Sequence, residues 1–295
     1  MRIALLASLL ALLQGCAVTL LRDDLSEFYS DPALAAAEMA AEAPMQVSLL
    51  EAPGFTEEYG RKGLWQPLAF VREIHGGLYL LEPYDPARVP VLFIHGAGGT
   101  PQDWRNFIRD LDRTRYQAWV YYYPTGLPME ASARWLDKFV GKLHDQYGFQ
   151  RLVVAAHSMG GLVAHRFLAL NAAERRYDAM LITLATPFGG VPFAKLGVRV
   201  VPYSVPSWRD LSPDSVFLRR VHAEPLPAGV QHHLFYGYRA DGDQYDSDGV
   251  ITVGSQLEGH DTTRSQVHAF KTDHSAILDD AAVLARFAGL LADFN

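Results

Sequence analysis

From residue 90 to the C-terminus the chain exchanges continuous apolar runs with amphipathic ones, and this constrains it more than any other feature. "PVLFIHG" (90–96) predicts a buried strand, "TPQDWRNFIRDLD" (100–112) a helix, and "YQAWVYYYP" (116–124) a second strand. A helix is expected over 131–148, where Trp135, Phe139, Leu143 and Tyr147 recur about one turn apart. "RLVVAAHS" then reads as strand, "MGGLVAHRFLALNA" as helix, and "AMLITLATP", "HHLFYGY" and "SQVHAFKTDH" as strands, with a final helix from about Ser275. Strands with no polar face must be covered on both sides. The fold class is therefore α/β, with a mostly parallel central sheet flanked by helices. Functional residues are expected at the C-terminal ends of such strands.

The chain has 295 residues, 49% apolar and 20% charged, which suffices for one large domain. Its formal charge of −7 contains no basic run, so nucleic acid is not an expected partner. No solenoid-length repeat or Pro/Gly-rich linker divides it.

The N-terminus has another character. One positive charge at Arg2, an apolar stretch from Ile3 to Leu13 and the small residue Gly15 have the anatomy of a secretory signal peptide (1–15), too short to span a bilayer. Cys16 is the sole cysteine, so it has no internal disulfide partner. "LQGC" resembles the lipobox of bacterial lipoproteins, which implies lipidation at Cys16. An ordinary signal peptide with an incidental cysteine is the competing reading. Ala17 lacks the aspartate that resembles an inner-membrane retention signal, so the expected address is the outer membrane, facing the periplasm. Residues 16–60, alanine- and acid-rich with a weak apolar face, read as a tether and N-terminal helix, leaving 61–295 as the globular domain.

In "RLVVAAHSMGGLVAHRFL" an apolar strand must reverse sharply into a helix at Ser158, with small residues, Ala156 and Gly160, two positions to either side. Such a turn exposes the serine oxygen and aims the helix's free N–H groups at it. This is a G-x-S-x-G nucleophile elbow with alanine in its first position. On that motif the chain resembles the α/β-hydrolases, and "AHSMGG" is similar to the elbow of small bacterial lipases. A glycine-rich turn with an incidental serine is the alternative.

Acyl transfer also needs two N–H donors facing the developing oxyanion. One follows the nucleophile, at Met159. His95-Gly96 in "FIHGAGGTPQDW" resembles the HG motif of lipases and esterases, which makes Ala97 the second donor. A phosphate cradle is disfavoured because no P-loop Lys-Ser/Thr pair follows. The general base is expected at His274, just past the last strand. His260 and His268 come too early, His232 and His233 open an earlier strand, His165 lies within a helix, and His157 is fixed beside the serine. Among Asp241, Asp243, Asp246 and Asp248, the "DGVI" at 248–251 looks like the acid-bearing segment of many lipases. Asp248 is thus the expected triad acid, with Asp246 second. The spacing of these aspartates fails the EF-hand pattern, so no metal site is expected, and no cofactor either.

Residues 191–230 form a long connection, expected as a small lid-like insertion before the acid-bearing region. Phe193, Leu196, Val198, Val200, Val201, Tyr203, Val205 and Trp208 suit either a flap over an apolar substrate or plain packing on the core. The Tyr121–Tyr123 triplet has the same two readings. From about Gly77 onward the layout resembles lipase-like bacterial hydrolases related to PGAP1-type proteins. That likeness implies a serine hydrolase cleaving carboxylic esters, lipids included, through an acyl-enzyme. Acyl transfer to an alcohol by the same residues and a non-catalytic envelope scaffold are the other two functions this sequence allows.

Overall fold

The computed structural model describes residues 46–170, 172–173, 176–192, 205–259 and 265–294. The signal peptide, Cys16, residues 193–204 of the insertion and His260 lie outside the described residues. Among the described residues the sheet has eight strands: β1 (Gln46–Val47), β2 (Gly77–Leu80), β3 (Val89–Ile94), β4 (Tyr116–Tyr122), β5 (Arg151–His157), β6 (Asp178–Leu184), β7 (Val230–Tyr238) and β8 (Ser265–Lys271). Their spatial order is β1-β2-β4-β3-β5-β6-β7-β8. Only the β2–β4 pair is antiparallel.

The apolar runs behave as two-faced strands. Leu92, Ile94, Leu152, Val154 and Ala156 point into one core with the helices Met129–Tyr147 and Met159–Ala169. Their neighbours Val91, Phe93, Val153 and Ala155 enter a second core on the other side, with Phe287, Leu290 and Leu291 of the helix Ala281–Asp293. Alternate side chains thus go to opposite faces, and both faces are dry.

From β3 the chain moves outward to β4, then crosses back to place β5 on the other side of β3. The crevice above the C-terminal ends of β3 and β5 is therefore a topological switch point, where such sheets leave room for a ligand.

Three expectations are corrected. The packed structure begins before residue 61: β1 pairs with β2 through Gln46↔Tyr79 and Val47↔Leu80, and Phe55 is buried against Tyr79 and Tyr122. The helix expected over 100–112 is a 3-10 turn, Pro101–Trp104, followed by the short helix Arg105–Arg109. Thr100 sets that turn, since its hydroxyl accepts from the Gln102 amide while its own N–H donates to Asp103. The last helix starts at Ala281 rather than Ser275, because Asp280 caps it by accepting from the Ala282 and Val283 amides; Ala276–Leu278 is a separate 3-10 turn.

Candidate active site

The strand-to-helix turn at Ser158 holds the serine at φ 53°, ψ −129°, a positive φ that costs a non-glycine residue energy and persists only where its surroundings enforce it. Here the Ser158 amide donates to the Leu184 carbonyl at 2.8 Å. The two glycines after it are set by close approach. A Cβ on Gly160 would stand 2.4 Å from the His95 carbonyl oxygen, and one on Gly161 would stand 1.9 Å from Thr186 Oγ1. The second requirement, for Gly161 against the end of β6, was not foreseen from the sequence.

Ser158 Oγ lies 2.9 Å from His274 Nε2, and His274 Nδ1 lies 2.7 Å from Asp248 Oδ2. A carboxylate only accepts, so Nδ1 carries the proton and Nε2 presents a lone pair to the serine hydroxyl. Asp248 is fully buried, and its other oxygen accepts from the amides of Val250 at 2.9 Å and Ile251 at 2.7 Å. Its backbone carbonyl receives the His274 amide at 2.9 Å. Acid and base loops are thus joined by main chain and side chain together.

Asp246 is occupied elsewhere. Its oxygens accept from the amides of Ala240, Gly242 and Ser247, and these bonds, led by that of Gly242, hold its pKa down at about 2. Its task is to fold the loop that delivers Asp248. Asp243 likewise accepts from the Tyr245 and Asp246 amides. Among the described residues no group of three or more His, Cys, Asp or Glu side chains is arranged to hold a metal ion.

Ala97 and Met159 line the same cavity as Ser158. Met159 opens its helix, so its N–H has no intrahelical acceptor. The loop carrying Ala97 is braced on every side. His95 Nδ1 donates to the Gly96 carbonyl at 2.9 Å, the Gly99 amide returns to the same carbonyl at 3.1 Å, and the Gly98 amide donates to Thr125 Oγ1 at 2.9 Å. Gly96 is closely packed too, since an added Cβ would stand 3.0 Å from that of Ser158. Burial lowers the His95 pKa to about 4, leaving a neutral ring.

The Tyr121–Tyr123 triplet belongs to the core. All three are buried, the Tyr121 hydroxyl donates to the Ser132 carbonyl at 2.9 Å, and that of Tyr123 donates to the His95 carbonyl at 3.0 Å. Tyr123 therefore supports the strand end from which the Ala97 loop departs. Sequence reasoning also missed Thr125 and His157. The Nε2–H of His157 donates to the His274 carbonyl at 2.8 Å, a bond to main chain that leaves no mark in a motif.

The cavity over Ser158 measures about 530 Å³. Pro187, Val191, Trp208, Leu211, Val250 and Ile251 contribute apolar lining, and Arg61, Arg105, Glu57 and Asp279 contribute charged lining. The described part of the insertion divides between the cavity and the core. Trp208 and Leu211 line the cavity, whereas Val205, Phe217, Leu218 and Val221 are buried as core.

A serine, an imidazole and a carboxylate in series, above a parallel sheet with this strand order, invite comparison with known folds. Residues 89–210 match the family model described as alpha/beta hydrolase fold. The described residues have the α/β-hydrolase fold. Among solved structures the chain resembles the mature lipase BlEst2 of Bacillus licheniformis, with TM-score 0.58 and 18% identity over 72% of this chain and 97% of that one. It also resembles the product of the Listeria innocua gene lin2722, with TM-score 0.52 and 15% identity over 70% and 95%. The metagenomic carboxyl esterase MGS0156 superposes with TM-score 0.50 and 15% identity over 65% and 66%. No curated protein matches the chain in sequence.

Proposed function

We propose that this α/β-hydrolase is a serine hydrolase that cleaves carboxylic esters through an acyl-enzyme. The observation that carries the reading is the unbroken series Ser158 Oγ to His274 Nε2 at 2.9 Å and His274 Nδ1 to Asp248 Oδ2 at 2.7 Å, opening on a partly apolar cavity. His274 takes the hydroxyl proton as Ser158 attacks the ester carbonyl. Asp248 fixes the tautomer and stabilises the imidazolium. The carbonyl oxygen, now negative, is received by the N–H groups of Ala97 and Met159. Loss of one such donor typically costs about 10²–10³ in turnover. The imidazolium returns its proton to the leaving alcohol, and water, deprotonated by the same histidine, releases the acid.

The mixed lining supports an ester with a hydrocarbon part that apolar residues such as Trp208 and Leu211 can contact and a polar part that Arg61 or Arg105 can contact. Two of the fold's neighbours carry the names lipase and carboxyl esterase, which agrees with that class. The leader ending in "LQGC" supports a lipid anchor at Cys16 on the periplasmic side of the outer membrane, close to lipid substrates.

The test is a panel of p-nitrophenyl esters of increasing acyl length, assayed on wild type and Ser158→Ala with and without an added alcohol acceptor. Saturable hydrolysis that vanishes in Ser158→Ala is expected, with free acid as the main product. Acyl-alcohol as the main product would move the protein to the acyltransferases. No turnover of any ester by folded wild type would favour a non-catalytic role.

A further inference from the structure

The residue before the nucleophile is not used by the scheme above, yet its side chain is placed as closely as any in the site. His157 ends β5 and is 7% exposed. Its Nε2 lies 2.8 Å from the backbone carbonyl oxygen of His274, and the two rings stand 4.9 Å apart. A carbonyl only accepts, so Nε2 carries the proton and the bond has one polarity. In a regular strand the side chains of consecutive residues point to opposite faces. The positive φ of Ser158 breaks that alternation, so that His157 and Ser158 both reach His274.

Resting on the serine-hydrolase reading, we propose that His157 is a positioning residue, whose ring N–H ties the main chain of the general base to the nucleophile elbow. All four polar groups of His274 are then engaged. Its N–H and Nδ1–H go to Asp248, its carbonyl takes the His157 proton, and Nε2 takes the Ser158 hydroxyl. Two elements that approach across more than a hundred residues of chain are thereby held in register by adjacent residues of one of them. A loop anchored only through Asp248 would leave the Ser158–His274 distance free to vary, and small errors in such distances are costly in rate.

The donor must also be neutral, because a second cation this near would oppose the imidazolium that forms during acylation. The site meets that need. Burial, with the nearby His274 ring second, lowers the His157 pKa to about 3, so the ring stays uncharged across the working range of an esterase. A lysine or arginine could supply an N–H here but not a neutral one.

The experiment compares wild type, His157→Ala and His157→Gln, the amide of the last supplying a neutral N–H donor. Kinetics with a p-nitrophenyl ester, thermal melting and the low-field proton NMR signal of His274 Nδ1–H are read together. His157→Ala is expected to lose about 10–100-fold in kcat with KM within about twofold, and to shift or broaden the low-field signal; His157→Gln is expected to recover most of the rate. Wild-type kcat and an unmoved low-field signal in a folded His157→Ala would overturn the proposal. If the alanine variant does not fold, the ¹⁵N shifts of the wild-type His157 ring decide: protonation at Nε2 with Nδ1 bare supports it, and the opposite tautomer overturns it. The outcomes separate from those of the function itself. Ser158→Ala reports on the serine mechanism, whereas the tautomer and the low-field signal are read without turnover.

Discussion

Asp248 Oδ2 meets His274 Nδ1 at 2.7 Å, while Asp248 Oδ1 is held by the amides of Val250 and Ile251. The carboxylate cannot turn, because both of its oxygens are committed. In Asp248→Asn the amide oxygen keeps the two backbone N–H groups, and the NH₂ is forced toward His274 Nδ1. The imidazole must then carry its proton on Nε2, where it can no longer accept from Ser158. A loss of about 10³–10⁴ in kcat with little change in KM is expected. Asp246→Asn, whose side chain serves only its own loop, is expected to change kcat less than about fivefold and to lower Tm slightly. Steady-state kinetics and melting on the two variants check both.

The elbow and helix glycines predict opposite effects. Gly160→Ala drives a methyl into the His95 carbonyl, which is backbone and cannot rotate away, and Gly161→Ala meets the Thr186 side chain. Both are expected to cost about 3 kcal/mol or more together with most of the activity, since the Thr186 Cβ, 2.8 Å from an added Cβ on Gly161, cannot rotate clear either, and both clashes bear on the Ser158 turn. Gly141 and Gly289 lie exposed within helices, with nothing within 4 Å of an added Cβ. Alanine there is expected to stabilise by about 0.5–1 kcal/mol each and leave kcat unchanged. Denaturant melts of the four variants give the order.

Much of this arrangement is legible before any coordinates. The long apolar runs that became β3 to β6 declare themselves because a strand buried on both faces has few polar positions to obscure it. β1 and β2, of two and four residues, are too short to show any period, and their place in the sheet comes from pairing with residues far along the chain. Ser158 is legible because a strained turn tolerates so few residue types around it. The choice between Asp246 and Asp248 is different. Both are aspartates in one loop, and what separates them is which set of amides each one meets in space. His157 and Thr125 are illegible for the same reason, since each acts on a backbone group and backbone is identical at every position. The start of the last helix could have been read correctly, because Asp280 before the alanine run is an ordinary cap signal.

Stability is expected to fall as pH drops below 7. Burial lowers the pKa of His157 to about 3 and those of His95 and His233 to about 4. In the unfolded chain these rings take protons near pH 6.5, so between there and pH 4 the unfolded state holds protons that the native state does not. Each such proton costs about 1.4 kcal/mol per pH unit. Asp210 acts in the opposite direction, since burial raises its pKa to about 6 and the native state takes its proton first. With His268 also lowered and Asp103 also raised by burial, four histidines outweigh two acids, so Tm should decline from pH 7 to pH 4.5. Asp210→Asn should melt higher than wild type at pH 7, and that advantage should shrink as wild-type Asp210 becomes protonated. A Tm that is flat or rising toward pH 4.5 would contradict this account.

Trp208 lines the cavity and packs edge-on against Trp65 at 5.1 Å between ring centroids. Trp208→Ala should therefore raise KM for long-chain p-nitrophenyl esters by about tenfold, the equivalent of roughly 1.4 kcal/mol of lost apolar contact. Acetyl esters, which do not reach it, should change less than about twofold. Equal effects on all chain lengths would mean that the acyl part binds elsewhere.

The central claim is that the hydroxyl of Ser158 is activated by His274. Its most direct measurement is the mass of the protein after treatment with a fluorophosphonate, followed by peptide mapping. One adduct per chain on Ser158 is expected, slowed at least a hundredfold in His274→Ala and absent in Ser158→Ala. A folded wild type that remains unmodified, or one modified at a different residue, would contradict it.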